Sequence, residues 1–248
     1  MIFIFITDLH TGQEGELAHN IDLRQNFADT LTAITKQPYD YLVIGGDLCL
    51  FEGNAQIYQW QKEQLDRLAK PYFIIPGNHD DTIILSEMFS HLPLVGEAEI
   101  YYEVLIDGQT FLFLDTARGV TSDLQKSWLQ ERLANCQAER LTIFMHHPPV
   151  LMGVPHMDQR HALKDRDEII EILNQTKTHK DIFCGHYHVQ KSVFMDRISI
   201  HITPSLFFQI DQLKEEFGVD HLNIAYNVIE IRSDRMTTSI HYLPGNLV

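Results

Sequence analysis

The segment Ile74-Ile75-Pro76-Gly77-Asn78-His79-Asp80-Asp81 ends an apolar run at a Pro-Gly break and then presents an amide, an imidazole and a carboxylate in succession. Short runs rich in Ile and Phe are typical of buried strands, and Pro-Gly is typical of the turn that follows. Asn78 is a candidate metal ligand, and His79 is a candidate proton donor. The segment therefore predicts a catalytic loop at the end of a strand.

Four other apolar runs also end in residues that can bind a metal. Asp8-Leu9-His10 follows residues 2–7, Gly45-Gly46-Asp47 follows 41–44, His146-His147 follows 141–145, and Gly185-His186-Tyr187-His188 follows 181–184. Amphipathic helices are predicted over residues 24–36 and 55–70, between the early strands. Strands that alternate with helices indicate parallel βαβ units, in which ligands bind beyond the carboxyl ends of the strands.

The remaining pattern predicts further helices and antiparallel hairpins. Helices are expected over residues 82–89, 124–134 and 165–173, and strands over 100–106, 110–114, 192–203, 225–231 and 236–242. We see no linker or repeat, so the sequence predicts one α/β domain over residues 1–248, with two packed sheets flanked by helices.

The strand ends together supply a set of seven candidate ligands. They are Asp8, His10, Asp47, Asn78, His146, His186 and His188. A mixed set of oxygen and nitrogen donors suits Mn, Fe or Zn better than Ca. Because seven ligands exceed what one tetrahedral ion uses, we expect two divalent ions that share a carboxylate. Each short motif alone is more often a turn or a helix cap, and the metal-site prediction depends on all five occurring at strand ends.

The five motifs, DxH, GD, GNH[DE], H and GHxH, closely resemble the pattern of the calcineurin-like metallophosphoesterase superfamily, over about residues 1–205. The resemblance implies a four-layer αββα sandwich of two mixed sheets. It also implies one metal on Asp8, His10, Asp47 and His188 and a second on Asp47, Asn78, His146 and His186, with Asp47 bridging. Residues 114–119, 143–149 and 182–186, with Gly153 and Met157-Asp158, resemble the bacterial class III cyclic-nucleotide phosphodiesterases and glycerophosphodiesterases.

The leading functional hypothesis is a phosphodiesterase acting on 3′,5′-cyclic nucleotides such as cyclic AMP. Two cations would lower the pKa of a bound water towards ~7, the resulting hydroxide would attack phosphorus in line, and His79 would protonate the leaving alkoxide. We expect Asp80 either to orient the imidazole of His79 or to cap the helix over residues 82–89. A glycerophosphodiesterase, a phosphomonoesterase or pyrophosphohydrolase, and a non-catalytic scaffold are the alternatives.

The candidate substrate contacts are His147, Arg118, His156 and Phe207, the last together with Phe208. The alternatives are a side chain that points away from the site for His147, a solvated side chain for Arg118 and core positions for the two Phe. We expect His156, Met157 and His161 to lie in a loop that roofs the site, and the sequence leaves open whether residues 149–163 and 204–220 form walls of the pocket. The other histidines, including His19, are predicted to be structural or on the surface.

Composition and charge exclude several classes of partner. The formal net charge of −15 disfavours a long nucleic acid, whereas a small phosphodiester needs only a local positive site. No apolar stretch reaches the ~18 residues of a membrane span.

The three cysteines, Cys49, Cys136 and Cys184, form no CxxC motif and favour the reducing cytoplasm. The sequence leaves the oligomeric state open, a homo-oligomer included.

Overall fold

The structure, a computed structural model, describes residues 1–248 and contains two large β-sheets with helices on their outer faces. In chain order the elements are β1 (Ile2–Ile6), α1 (Leu23–Ile34), β2 (Tyr41–Ile44), α2 (Ala55–Asp66), β3 (Tyr72–Ile74), α3 (Thr82–Met88), β4 (Tyr102–Ile106), β5 (Gln109–Leu114), α4 (Asp123–Asn135) and β6 (Arg140–Met145). They continue with α5 (Pro155–Arg160), α6 (Arg166–Leu173), β7 (His179–Cys184), β8 (Lys191–Phe194), β9 (Ile198–Ile202), β10 (Gln209–Ile210), β11 (Val219–His221), β12 (Ile224–Ile231) and β13 (Met236–Leu243).

The first sheet has the strand order β13-β12-β1-β2-β3. Strands β1, β2 and β3 are parallel, as the alternation of strands and helices predicts, and β12 and β13 extend the sheet in antiparallel fashion. The second sheet has the order β4-β5-β6-β7-β9-β8, with β5, β6, β7 and β9 parallel and the two edge strands antiparallel. Both sheets are therefore mixed.

Phenylalanines fill the space between the two sheets. The ring of Phe144 on β6 lies 5.7 Å from Phe5 on β1, 5.1 Å from Phe113 on β5 and 5.7 Å from Phe183 on β7, measured between centroids. The outer face of each sheet packs on helices, with Phe27 of α1 in one outer core and Leu129 of α4 in the other. The predicted αββα sandwich is confirmed.

The parallel strands carry both halves of the site to the same edge. Residues 7–10, 45–47 and 75–79 follow β1, β2 and β3, and residues 146–147 and 185–188 follow β6 and β7. Strand boundaries agree with the predictions to within two residues, except that the strand predicted over residues 192–203 is divided at residues 195–197 into β8 and β9, which pair in antiparallel fashion. Helix α2 ends at Asp66 rather than at residue 70, because Ala69 adopts a left-handed backbone conformation with φ 51° that breaks the helix.

Two short elements differ from the predictions. The predicted loop around His156 is the helix α5, which starts at Pro155; proline is favoured in the first turn because its missing N–H is not needed there. Strands β10 and β11 form a small separate sheet within residues 204–221, for which the sequence predicted no strand. None of the helices combines the length and the hydropathy that a bilayer crossing requires.

Candidate active site

Hydrogen bonds join the loops that follow the central strands. The N–H of Asp8 donates to the carbonyl of Gly46 at 3.0 Å, and the N–H of Gly185 donates to the carbonyl of His146 at 3.1 Å. The N–H of His186 donates to the carboxylate of Asp8 at 2.9 Å and so connects the two sheets. These bonds fix the relative positions of the loops that carry the candidate ligands.

Five of the seven candidate ligands have a left-handed backbone. The φ angles are 53° at Asp8, 45° at His10, 51° at Asp47, 66° at His186 and 50° at His188. This region is uncommon for residues other than glycine, and such residues cluster at functional sites where the surrounding structure holds them. The conformation turns the chain sharply at the strand end.

Glycine is required at two motif positions because other segments of the chain pass close to them. A Cβ atom on Gly77 would lie 2.2 Å from Oδ1 of Asp47, and one on Gly185 would lie 2.0 Å from Oγ1 of Thr7 and 2.5 Å from Oδ2 of Asp8. Real side chains do not tolerate these distances. Glycine at both positions therefore allows the loops to approach the carboxylates.

The first group of candidate ligands converges at the ends of β1, β2 and β7. Nε2 of His188 lies 3.3 Å from Oδ1 of Asp8 and 3.1 Å from Nε2 of His10, which in turn lies 3.7 Å from Oδ2 of Asp47. Nδ1 of His188 bonds to the carbonyl of Phe208 at 3.0 Å, which directs Nε2 towards the cluster. Donor atoms of Asp8, His10 and His188 thus lie together, and Asp47 lies beside them.

The second group shares the carboxylate of Asp47 with the first. Nε2 of His146 lies 3.3 Å from Oδ2 of Asp47 and is buried without a hydrogen-bond partner, whereas Nδ1 bonds to the carbonyl of Gly45 at 2.7 Å. Nε2 of His186 bonds to the carbonyl of His161 at 2.9 Å, so Nδ1 is its free ring nitrogen. A buried imidazole nitrogen without a partner, beside a carboxylate, fits a metal ligand.

The electrostatics of the cluster also fit a cation. Burial alone would raise the pKa of Asp8, but neighbouring imidazoles outweigh it and lower the value to about 2. Burial lowers the pKa of His10 to about 4 and that of His186 to about 3. Burial would also lower the pKa of His146, but Asp47 raises it to about 9. The carboxylates are thus ionised and two of the imidazoles neutral, as metal ligands must be. Asp47 stabilises the protonated form of His146, and a bound cation would displace that proton.

A cavity of about 530 Å³ opens above both groups. Asn78 lines it, as do the predicted substrate residues His156 and Phe207, so the segments 149–163 and 204–220 both contribute walls. The sequence analysis did not identify the lining residues Leu17, Ala18, His19, Leu50 and Phe51, and it assigned His19 to the structural or surface class. None of the 18 lining residues is Lys or Arg. The cavity is therefore mostly apolar apart from the ligand cluster at its floor.

The other two predicted substrate residues lie elsewhere. His147 is buried behind the ligand His186, with their ring centroids 3.9 Å apart, and its Nδ1 lies 3.0 Å from Oγ1 of Thr116. Arg118 is exposed and donates to the carbonyl of Glu97. Neither side chain lines the cavity. Both residues thus have the alternative arrangement and not the substrate contact, since His147 packs under the site and Arg118 is exposed and turns to a neighbouring loop.

His79 lies at the edge of the ligand cluster and lines the cavity. Its ring centroid is 4.8 Å from that of His10, and its Nδ1 is buried without a hydrogen-bond partner. The backbone N–H of His79 donates to Oδ1 of Asp47 at 2.9 Å. The imidazole is also close enough to His10 and Asp47 to be a further metal ligand.

Asp80 does not contact the imidazole of His79. Its carboxylate accepts from the N–H of Gly77 at 2.9 Å and from the hydroxyl of Tyr58 at 3.0 Å. Burial and then the charge of Asp47 raise the pKa of Asp80 to about 6. The expectation that Asp80 orients His79 is corrected because backbone and tyrosine donors occupy its oxygens.

Helix α3 is also not capped by Asp80. The N-cap is Asp81, whose Oδ1 accepts from the N–H of Ile83 at 2.9 Å and from that of Ile84 at 3.0 Å. Asp80 therefore takes neither of the two predicted roles. It holds the 77–80 loop against residues 48–58 instead.

The fold and the candidate ligand cluster fit a metal-dependent phosphoesterase, and comparison with known proteins agrees. The sequence matches the calcineurin-like phosphoesterase family over residues 1–190, so the chain belongs to this family. The predicted superfamily is confirmed, and the His and Asp clusters together with the family indicate a divalent metal centre.

Individual relatives carry related activities. A probable cyclic nucleotide phosphodiesterase from Fibrobacter succinogenes is 32% identical over 237 residues, which cover 96% of this chain and 92% of the relative. A probable glycerophosphodiester phosphodiesterase, GpdQ, from Arcobacter nitrofigilis is 27% identical and covers 85% of this chain and 80% of the relative. The structure of a dimetal phosphatase from Danio rerio has a TM-score of 0.75 at 14% identity, covering 100% of this chain and 96% of that one. The last similarity shows the shared fold.

We expect Asp80→Ala to destabilise the protein. The change leaves the N–H groups of Leu48 and Gly77 and the hydroxyl of Tyr58 without their acceptor, and the free energy of unfolding should fall by more than about 2 kcal/mol in urea denaturation. The control Asp81→Ala removes the cap of α3 and should cost about 1 kcal/mol. An Asp80→Ala variant that is as stable as wild type but inactive would restore a role in catalysis.

Proposed function

We propose that this protein is a metal-dependent phosphodiesterase that hydrolyses 3′,5′-cyclic nucleotides of the cyclic AMP type. The observation that carries the proposal is the position of two ligand groups, joined by Asp47, at the floor of an apolar cavity of about 530 Å³. Ligand cavities usually have volumes of about 300–1,000 Å³. The relative from Fibrobacter succinogenes supports the substrate class through its description as a probable cyclic nucleotide phosphodiesterase.

The site would hold two divalent ions, and Mn, Fe and Zn suit its donors. We assign Asp8, His10, Asp47 and His188 to one ion and Asp47, Asn78, His146 and His186 to the other. The unpartnered Nε2 of His146 and the shared Oδ2 of Asp47 support this division. When bound, a pair of ions polarises the phosphoryl oxygens and lowers the pKa of a water molecule.

His79 is the residue that we assign to protonation of the leaving group. An alkoxide is a poor leaving group unless it receives a proton as the bond to phosphorus breaks. His79 lines the cavity next to the ligand cluster, and its Nδ1 has no partner within the protein. The bond from its backbone N–H to Asp47 keeps the imidazole at the edge of the cluster.

The charges of the cavity favour a diester over a monoester. A phosphodiester has one negative charge, whereas a monoester at neutral pH has close to two, which require more positive partners. No Lys or Arg lines the cavity, so apart from the cavity histidines the positive charge available to a phosphate would come from the two bound ions. A diester with an uncharged group pointing towards the cavity mouth therefore fits best.

Two exposed phenyl rings suit that uncharged group. Phe51 is 71% exposed and Phe217 is 49% exposed, and both line the cavity. Base stacking on an aromatic side chain contributes about 1–3 kcal/mol in nucleic-acid complexes. A nucleobase attached to the cyclic phosphate could use these rings.

A glycerophosphodiester is the second candidate substrate. The GpdQ relative supports it, and the phenyl rings could also hold a quaternary ammonium group by cation–π attraction. A phosphomonoesterase has less support because of the charges described above. A non-catalytic scaffold has little support because every residue of the ligand motifs and His79 is present.

We place the enzyme in the cytoplasm, with a small phosphodiester as its partner. All three cysteines are free thiols, which suits a reducing compartment. The net charge of −15 does not suit a long nucleic acid.

A substrate screen tests the proposal directly. We expect the purified protein with Mn²⁺ to hydrolyse cyclic AMP faster than glycerophosphocholine, a nucleotide monoester or a short oligonucleotide, measured by product chromatography. A preference for glycerophosphocholine would select the second candidate. Hydrolysis of the monoester alone would contradict both.

Asp47→Ala should remove both metal ions, because its carboxylate faces both ligand groups. Elemental analysis after dialysis against Mn²⁺ should find two ions per chain in wild type and fewer than one in the variant. The control Asp81→Ala, which changes a carboxylate outside the ligand groups, should keep two ions. Two ions in Asp47→Ala would show that this residue does not bridge.

His79→Ala should reduce turnover of cyclic AMP by about 10²- to 10⁴-fold, the usual contribution of general acid catalysis. Turnover of bis(p-nitrophenyl) phosphate, whose leaving group hardly needs a proton, should fall far less. Steady-state rates at saturating Mn²⁺ give the loss of turnover for each substrate. The control His19→Ala, another cavity imidazole, should affect both substrates equally. Equal losses in His79→Ala would remove His79 from the acid role.

A further inference from the structure

The carboxylate of Asp158 on α5 collects four hydrogen bonds. Oδ1 accepts from the N–H of Met152 at 2.9 Å and from the hydroxyl of Tyr187 at 3.0 Å. Oδ2 accepts from the N–H of Gly153 at 2.7 Å and from that of Val154 at 3.0 Å. We call residues 152–161 the roof segment. The side chain of Asp158 binds the start of this segment to α5 and also joins the segment to Tyr187, which follows β7.

Tyr187 is the only residue between the candidate ligands His186 and His188. It is fully buried, and both of its neighbours have the left-handed backbone described above. The bond from its hydroxyl to Asp158 is thus a direct connection from the roof segment to the 185–188 loop.

A second connection joins the same two segments. The roof segment ends at His161, whose carbonyl oxygen lies 2.9 Å from Nε2 of His186. A hydrogen bond to one ring nitrogen fixes the tautomer and the orientation of a metal-binding imidazole, and leaves the other nitrogen free for the metal. The position of this carbonyl depends on α5, and α5 is held by Asp158.

We propose that Asp158 and Tyr187 are positioning residues that couple the roof segment to the 185–188 loop. They thereby hold the imidazole of His186 in the orientation that binds its ion. The proposal rests on the proposed assignment of His186 as a ligand. Because His156, Met157 and His161 of the roof segment line the cavity, the same two residues link binding of that ion to the shape of the substrate site.

The arrangement predicts an effect on one ion rather than on both. The carbonyl of His161 contacts His186, whereas the imidazole of His188 is oriented separately by the carbonyl of Phe208 at 3.0 Å. Loosening the roof segment should therefore weaken the ion assigned to His186 and leave the ion assigned to His188 in place.

Tyr187→Phe tests this with the smallest change, because it removes only the hydroxyl. We expect equilibrium dialysis with Mn²⁺ to find two ions in wild type, and in the variant one unchanged ion and one bound about 10- to 100-fold more weakly. The kcat of Tyr187→Phe should return towards that of wild type at saturating Mn²⁺. The control Tyr226→Phe removes a buried hydroxyl that bonds Gln37 at 3.1 Å, remote from the ligands, and should bind both ions as wild type does.

A second pair of variants identifies the weakened ion. In a His186→Ala background, where that ion is already lost, Tyr187→Phe should leave the affinity of the remaining ion unchanged, as a double-mutant cycle requires. Asp158→Asn should weaken binding of the same ion as Tyr187→Phe does. It replaces Tyr187→Phe as the test if Tyr187→Phe does not fold, since Asn keeps one acceptor oxygen.

The outcomes distinguish a failure of the proposed metal centre from a failure of the proposed coupling. Wild type that binds no Mn²⁺ would overturn the proposed metal centre itself. Wild type that binds two ions, together with Tyr187→Phe or Asp158→Asn variants of unchanged affinity, would overturn only the coupling. Equal weakening of both ions, accompanied by a lower melting temperature, would also overturn it, because that is the result of general destabilisation.

Discussion

The structure depends on one constraint, which is that the carboxyl ends of parallel strands from two sheets meet at a single edge. Each strand delivers a carboxylate or imidazole there only because the chain turns at once into a left-handed conformation, as at Asp8, Asp47 and His188. Such residues cost about 1–3 kcal/mol each. Hydrogen bonds between loops, for example from His186 to the Asp8 carboxylate, hold them in place.

The same constraint explains the electrostatics. Asp8 and Asp47 are buried, and a buried carboxylate stays ionised only beside positive partners. In the protein alone the imidazoles supply that charge, and Asp47 keeps His146 protonated with a pKa of about 9. Divalent ions would replace these protons, so the metal affinity of the cluster is expected to increase with pH. Binding and folding are therefore linked through the same few side chains.

Sequence patterns predicted the elements whose information is local. The central strands, the ligand loops after them and two packed sheets flanked by helices follow from apolar runs and the polar residues after them, whereas the left-handed backbone of the ligand loops was not predicted. Asp80 was misassigned because its partners, Leu48 and Tyr58, lie 32 and 22 residues away. Similarly, the sequence gives no signal that Phe51 lines the same cavity as the 204–220 segment, since this depends on how distant loops fold over the floor.

The distribution of residues around the cavity separates the reaction from the choice of substrate. The floor belongs to the ends of β1, β2, β3, β6 and β7, where a displacement would disturb both sheets. The walls come from connecting segments, including residues 17–19, 50–51, 156–161 and 207–217, which can change without altering the strands. One shared fold can host several substrate preferences when the residues around the site differ. On this argument we expect substrate preference to reside in the walls, and wall segments also contact the 185–188 loop through the bond between Asp158 and Tyr187 and through the carbonyls of His161 and Phe208.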